Sequence, residues 1–548
     1  MTAVNVSASR DAEVATEDGW SRRTELILLA VLVVAALGVR LYLLSFHDVI
    51  SVDGTGYVGA ARALARGNVA PLAGYGFYPV LIWLASLLAV DMETAGRLVA
   101  VVAGSFLAVP LYLLGKEFFS PRATLAACVV AAFWPTLLAW SCEVMTQAPY
   151  TLFVVTGTWC VCRMCRLTSL ASGCAGGICL GLAYLTRPEA SLLFPLLPLA
   201  ALISLRPQLR PLVRPLAAYA ATFGLLFAAN LCLVHRVTGS WQLASKTAAA
   251  LNNALSRYLQ VTDLGYLPQF STTGYLNIIR DYPGFIPWNI LRNTAITWKE
   301  LVPVPLWMLA LLGFCAGGLW RRIPGRLFLA ATFAPFLVII VFYYVGPEYS
   351  QPYMPVLLLW CGEGLYRGER LVTLRAFRGN GGYRRRWLNR APVTLVLALL
   401  FTLVLIVRQV PWETQPQPYR LEQDGGRRDM KNIGLMLKQN LAPGKIMTRW
   451  AHIAYYADRE WQSIPNSDLA SILQTAREGG VRFIIVDGAL TDVRPQFGPL
   501  LGPFEMRYTA REFYVTPYNE VLPEFGLRPY LFYADVNSLG VAVYEVVR

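Results

Sequence analysis

Apolar runs long enough to cross a lipid bilayer recur through the first 410 residues, and no other feature constrains the fold as much. They lie near 25–46, 95–115, 123–142, 147–163, 168–186, 189–205, 215–234, 303–320, 327–345, 352–366 and 391–410. Hydrocarbon offers no water to the backbone, so each run has to close its own hydrogen bonds as a helix. Composition agrees: 55% of the residues are hydrophobic and only 15% charged, where soluble proteins carry about a quarter. The expected fold is mainly α, a polytopic membrane protein of about eleven transmembrane helices with interfacial helices and a further C-terminal domain.

The net charge of +14 raises the question of nucleic acid, and the position of the arginines answers it. They cluster in short loops between apolar runs, as the positive-inside rule expects, and not on one basic face. No nucleic-acid partner is expected. The segment "GFYPVLIWLASLLAV", residues 76–90, is short, opens on a proline turn and ends before Asp91. If it lies along the interface, Arg22, Lys116, Arg163, Arg206 and Arg321 all fall on one side. Asp53, Asp91, Glu93 and Glu143 then fall on the other. If it spanned, every later basic loop would flip. Parity therefore places the N-terminus in the cytoplasm and the 47–94 loop and C-terminus outside. The polar, acidic start does not read as a cleaved signal peptide.

Residues 411–548 lack long apolar runs. "DMKNIGLMLKQNLAPG" reads as a helix stopped by proline and glycine. "ASILQTAREGG" followed by "VRFIIVDG" reads as helix, glycine stop and buried strand, and "VAVYEVV" alternates like a strand. The chain divides into a membrane domain, 1–410, and an extracytoplasmic (periplasmic) α/β domain, 411–548. All ten cysteines lie between Cys128 and Cys361, mostly in apolar runs, where they read as small embedded thiols. No nucleotide-binding glycine motif has the required strand and helix context. No metal ligand set is predicted and no cofactor is called for, though a divalent cation is compatible.

The outside loops hold the chemistry-bearing residues. Asp53 either caps the helix that "GTGYVGAARALARGN" suggests or serves as a proton acceptor. Glu143 in "AWSCEVMTQAPY" is a second carboxylate beside the bilayer, solvated or used to orient a substrate. Arg97 in "ETAGRLVAV" and Arg187 in "YLTRPEASLL" either snorkel to headgroups or clamp a specific phosphate, for which the guanidinium fork is suited. Acids that take a proton and arginines that hold a phosphate, gathered beside lipid, suit chemistry on a lipid-linked phosphate. A transporter would place its charges near the midplane and show repeats.

Asp53, Tyr57, Ala60 or Ala61, Leu64 and Gly67 approximate a loop pattern D-x-x-x-Y-x-x-A-x-x-L-x-x-G, with one extra residue between Tyr57 and Leu64. It resembles the first outside loop of the GT-C glycosyltransferases, in the branch of protein O-mannosyltransferases and the lipid A aminoarabinose transferase. "FYPVLIWLASLLAV" resembles that family's interfacial helix. "GICLGLAYLTRPEASLLFPLLPLA" and "EYSQPYMPVLLL" resemble its later segments. The similarity covers most of 25–365. Three positions depart from the family: Gly54 follows Asp53 where a second acid is usual, Glu348 stands for an arginine, and Gln147 for an acid.

The resemblance implies transfer of a sugar from a polyprenyl-phosphate carrier to a lipid, glycan or protein acceptor at the outer face of a bacterial inner membrane. Under it Asp53 is the general base and Glu143 orients sugar or acceptor. Arg187, with Arg97 or Arg236, stabilises the leaving phosphate, and Tyr57 and Tyr78 flank the sugar. The alternatives are a transporter or flippase of a lipid-linked saccharide, or a head-group (phospho)transferase.

Overall fold

The structure is a computed structural model. It describes residues 21–47, 49–88, 90–243, 247–259, 275–298, 302–315, 323–343, 345–376, 393–414, 426–440, 443–449, 451–465, 467–487, 490, 497, 500, 526–533 and 541–547. The chain forms two compact units. One comprises Met1–Phe46, Tyr57–Ala254 and Gly274–Gln409; the other comprises His47–Gly56, Leu255–Thr273 and Val410–Arg548.

The first unit is helical. Its helices begin with α1 (Arg22–Leu44) and α2 (Val52–Ala65), the latter shared with the second unit through its first turn. Then come α3 (Leu72–Tyr75), α4 (Tyr78–Ser86), α5 (Met92–Phe106), α6 (Ala108–Lys116), α7 (Pro121–Phe133), α8 (Pro135–Ser141) and α9 (Gln147–Leu167). α10 (Leu170–Thr186), a 3₁₀ turn (Pro188–Leu192), α11 (Leu193–Leu205) and α12 (Leu209–Thr238) follow. The last large helices are α13 (Val304–Cys315), α14 (Met354–Ala376) and α15 (Val393–Thr414). A helix or a pair of helices falls on each of the eleven apolar runs. Among the described residues, four helices are long and apolar enough to cross a bilayer, or five with the α7–α8 pair, which bends by 54°.

That bend has a local cause. Pro135 cannot donate to the helical ladder and forces Trp134 into an extended conformation. The Ala132 carbonyl thereby loses its helical donor. Arg40, buried in α1, supplies one: its Nη1 donates to Ala132 O at 2.9 Å and its Nε to Ser141 Oγ at 2.8 Å. The cation thus bridges both halves of the broken helix, as a charge inside an apolar layer must find acceptors.

α4 has nine residues, about 13 Å of helix, against a hydrocarbon core of roughly 30 Å. It does not span. Opposite ends of the bundle differ in character. At one end Glu25 accepts from Tyr112 Oη and Lys116 Nζ, both at 2.6 Å, and Arg166 pairs with Glu117 at 2.6 Å. The starts of α5 and α9 lie at the other end.

The second unit holds a five-stranded sheet of β1 (Lys445–Thr448), β2 (Trp461–Gln462), β3 (Val481–Asp487), β4 (Leu527–Tyr533) and β5 (Val541–Val546), in the order β2-β1-β3-β5-β4. β1 is parallel to β2 and β3, while β5 is antiparallel to β3 and β4. Side chains alternate across a strand, and both faces are used. Ile484 and Val486 pack with Ile472 and Leu473 of α18 (Leu469–Glu478). Phe483 and Ile485 pack with Ile433 and Leu437 of α16 (Gly426–Asn440) and with Ile453 of α17 (Ala451–Tyr456). Burial on both faces explains why β3 reads as a nearly continuous apolar run.

Candidate functional site

At the α5 and α9 end of the helical unit, polar and aromatic groups converge. The residues before α4 set the geometry. Gly76 has φ +69°, and a Cβ there would lie 2.2 Å from Leu185 O. The next residue, Phe77, donates its N–H to that same carbonyl at 2.8 Å. Only glycine permits this approach, which ties the turn before α4 to the end of α10, where Arg187 sits. A second close approach is made at Gly96 in α5, where a Cβ would meet Val144 Cγ1 at 2.9 Å and Ile82 Cδ1 at 3.3 Å. It lets the 142–146 loop, which carries Glu143, lie against α5 and α4.

Tyr78 occupies the middle. It is fully buried, and its hydroxyl donates to Gly96 O at 2.8 Å. Burial first, then its neighbours Tyr57 and Glu143, raise its phenol well above the ordinary 10.0, against the backbone bond of Met145 and the charge of Arg97. Tyr57, from α2, packs edge-on to Tyr78 at 5.3 Å and to Tyr75 at 5.7 Å. Arg97 is nearly buried and pairs with Glu93 at 2.8 Å, one turn away. Tyr78 is therefore enclosed between the Tyr57 ring and the backbone of α5.

Arg187 follows α10 in an extended conformation, and its N–H returns to Ala183 O at 2.8 Å. Its guanidinium lies over the rings of Tyr349 at 5.0 Å and Tyr150 at 5.7 Å, and its Nε pairs with Glu189 at 2.6 Å. Burial works against its charge, but the Glu189 carboxylate and the surrounding Tyr349, Tyr150 and Tyr57 raise its pKa, so it remains a cation. Tyr150 in turn shares a 3.1 Å hydrogen bond with Tyr353. The two ring contacts and the fixed Nε set the orientation of the fork.

Tyr57, Tyr78, Arg97, Glu143 and Arg187 are thus neighbours. Arg236 is exposed in the last turn of α12, and no described contact joins it to them. Asp53 is exposed in the first turn of α2, one turn before Tyr57. It is not the cap: Ser51 Oγ accepts the Gly54 N–H at 3.1 Å. Capping is thereby done by the residue two places earlier, and the Asp53 carboxylate sits at the positive end of the helix. Asp48, and the side chain of Glu348, fall outside the described residues. Among the described residues no three His, Cys, Asp or Glu side chains gather as metal ligands. Glu189, Tyr150 and Tyr349 were not anticipated from sequence. A carboxylate two residues from an arginine within an apolar stretch was the available signal.

The helical bundle that carries these residues has the fold of the GT-C membrane glycosyltransferases. Residues 76–232 match the family model of dolichyl-phosphate-mannose-protein mannosyltransferase, and this span includes Tyr78, Arg97, Glu143 and Arg187. ArnT from Cupriavidus metallidurans bound to undecaprenyl phosphate is similar with a TM-score of 0.53 and 14% identity, over 96% of this chain and 99% of that one. The oligosaccharyltransferase of Archaeoglobus fulgidus in the apo form has a TM-score of 0.55 and 12% identity, over 85% and 70%. AglB from the same organism, in complex with an inhibitory peptide and a dolichol-phosphate, has a TM-score of 0.52 and 13% identity, over 84% and 69%. These likenesses are of fold. No curated protein matches the sequence.

Proposed function

We propose that the protein transfers a sugar from a polyprenyl-phosphate carrier to an acceptor hydroxyl on the extracytoplasmic face of a bacterial cytoplasmic membrane. The observation that carries this reading is Arg187: a half-buried cation against two aromatic rings, beside Tyr57, Tyr78 and Glu143, within the family-matched segment. The lipid phosphates held by ArnT and AglB support a carrier of that class.

In the proposed reaction Asp53 accepts the proton of the acceptor hydroxyl while its oxygen attacks the anomeric carbon. The bond from that carbon to the carrier phosphate breaks, with inversion, and polyprenyl phosphate leaves as a monoester. Arg187, with Arg97 behind it, stabilises the negative charge the phosphate gains. Glu143 orients sugar or acceptor, and Tyr57 is the ring available for stacking. The N-terminus is cytoplasmic, and the α/β domain from residue 411 is periplasmic.

The test uses purified full-length protein and a panel of polyprenyl-phosphate sugars with lipid, glycan and peptide acceptors. We expect release of polyprenyl phosphate coupled to glycosylated acceptor, and a fall of about 10²–10⁴-fold in Asp53→Asn. Movement of an intact lipid-linked saccharide across vesicles, with no carrier released, would replace this reading by transport. An acceptor that gains a phosphate would replace it by head-group transfer.

A further inference from the structure

We infer that His452 and Tyr456, in the sheet-bearing unit, are positioning residues for Asp53; this rests on the proposed role of Asp53 as base. The residue they hold is Ile50, fully buried three positions before Asp53. Its N–H donates to Tyr456 Oη at 2.9 Å. Its carbonyl lies 3.0 Å from His452 Nε2, which must donate, since a carbonyl only accepts. Both polar groups of one peptide position are therefore gripped by two side chains of α17. Their spacing of four residues puts them on one helix face.

The grip is stiff on the protein side. His452 and Tyr456 are themselves buried, and Ile453 and Ala454 anchor α17 in the core beneath the sheet. Gly434 of α16 allows the helices to meet closely, since a Cβ there would lie 2.6 Å from Tyr456 Cβ. Tyr456 also packs edge-on against Tyr455 at 5.1 Å, with Lys431 Nζ 5.4 Å from its ring centroid. From Ile50 the constraint passes along the chain without slack. Ser51 accepts from the N–H groups of both Gly54 and Thr55, through its hydroxyl and its carbonyl. Asp53 stands inside this hydrogen-bonded turn, so displacement of Ile50 displaces the carboxylate. An error of about 1 Å in the placement of a catalytic group can cost roughly 100-fold in rate.

The experiment compares Tyr456→Phe, His452→Leu, His452→Gln and Asp53→Asn in the full-length protein, by the rate of carrier release at varied donor concentration. Phenylalanine keeps the ring and removes only the hydroxyl; glutamine restores a donor where leucine has none. We expect kcat to fall on the order of tenfold or more in Tyr456→Phe and His452→Leu, with KM for the donor unchanged and melting temperatures close to wild type. His452→Gln should recover most of the loss. Unchanged kcat in the first two variants, or a loss that glutamine does not restore, overturns the inference. An active Asp53→Asn would instead overturn the role of Asp53, so the two failures are distinguishable.

Discussion

Arg187 shows how one side chain can be held charged beside a membrane. Its two aromatic neighbours supply quadrupole attraction, and Glu189 supplies the counter-charge. Removing that counter-charge takes a close carboxylate partner from a cation that is largely shielded from water. We expect Glu189→Gln to destabilise the fold by about 3–5 kcal/mol, measured by thermal unfolding in detergent. Arg187→Lys keeps a charge but loses the planar fork, and we expect kcat to fall about 10²-fold with stability less affected. Tyr78 sets a limit on pH. Its folded pKa lies above the unfolded value of 10.0, so its contribution is complete below pH 10. Above that the unfolded chain loses protons while the folded one keeps them. Melting temperature should decline as pH rises past 10, and less steeply in Tyr78→Phe. The sequence made Arg187 visible because a charge at the end of an apolar run stands out. It did not reveal the partners Tyr150 and Tyr349, since a tyrosine near a membrane end is as readily a lipid anchor.

Helix ends and close approaches decide how the elements meet. Asp91 caps α5, accepting from the N–H groups of Glu93 and Thr94 at 3.0 Å. Burial works against its ionisation, but the Thr94 side chain and the Thr94 and Glu93 N–H groups hold its pKa below the usual 3.8. The stability it gives is present above that value and lost as pH falls through the lower, folded one. Asp91→Ala should cost about 1 kcal/mol near neutral pH and nothing in strong acid. Gly96→Leu would drive a side chain into Val144 and Ile82, which already lie within van der Waals range. We expect about 1–3 kcal/mol of overpacking and a displaced Glu143. The spanning helices were legible because bilayer thickness fixes their length. α18 and β3 were legible from a glycine stop between helical and buried-strand patterns. β1 and β2, at four and two residues, are too short for any periodicity to register. β4 carries Pro529, which argues against a strand, and it is accommodated on the edge strand, where the register with β5 shifts between Pro529 and Leu531.

For the molecule as a whole, the sequence spoke most clearly through charge and length. Parity rested on leaving 76–90 out of the count, and the nine-residue α4 agrees with that reading. Orientation yields its own prediction: a reporter active only in the periplasm should function when fused after Arg548, and a cytoplasmic one when fused before Met1. The opposite pattern would invert the proposed face. What sequence could not show was that Ile50, near the start of the chain, is held by residues about 400 positions later. A hydrogen bond from a side chain to a distant backbone leaves no local pattern.

The central claim is that Asp53 takes the acceptor's proton as the sugar leaves its carrier. Side-by-side turnover of wild type and Asp53→Asn, with donor KM and polyprenyl phosphate release followed together, tests it most directly. The account predicts that the variant binds donor as before and releases carrier about 10²–10⁴ times more slowly. Wild-type release by Asp53→Asn would contradict it.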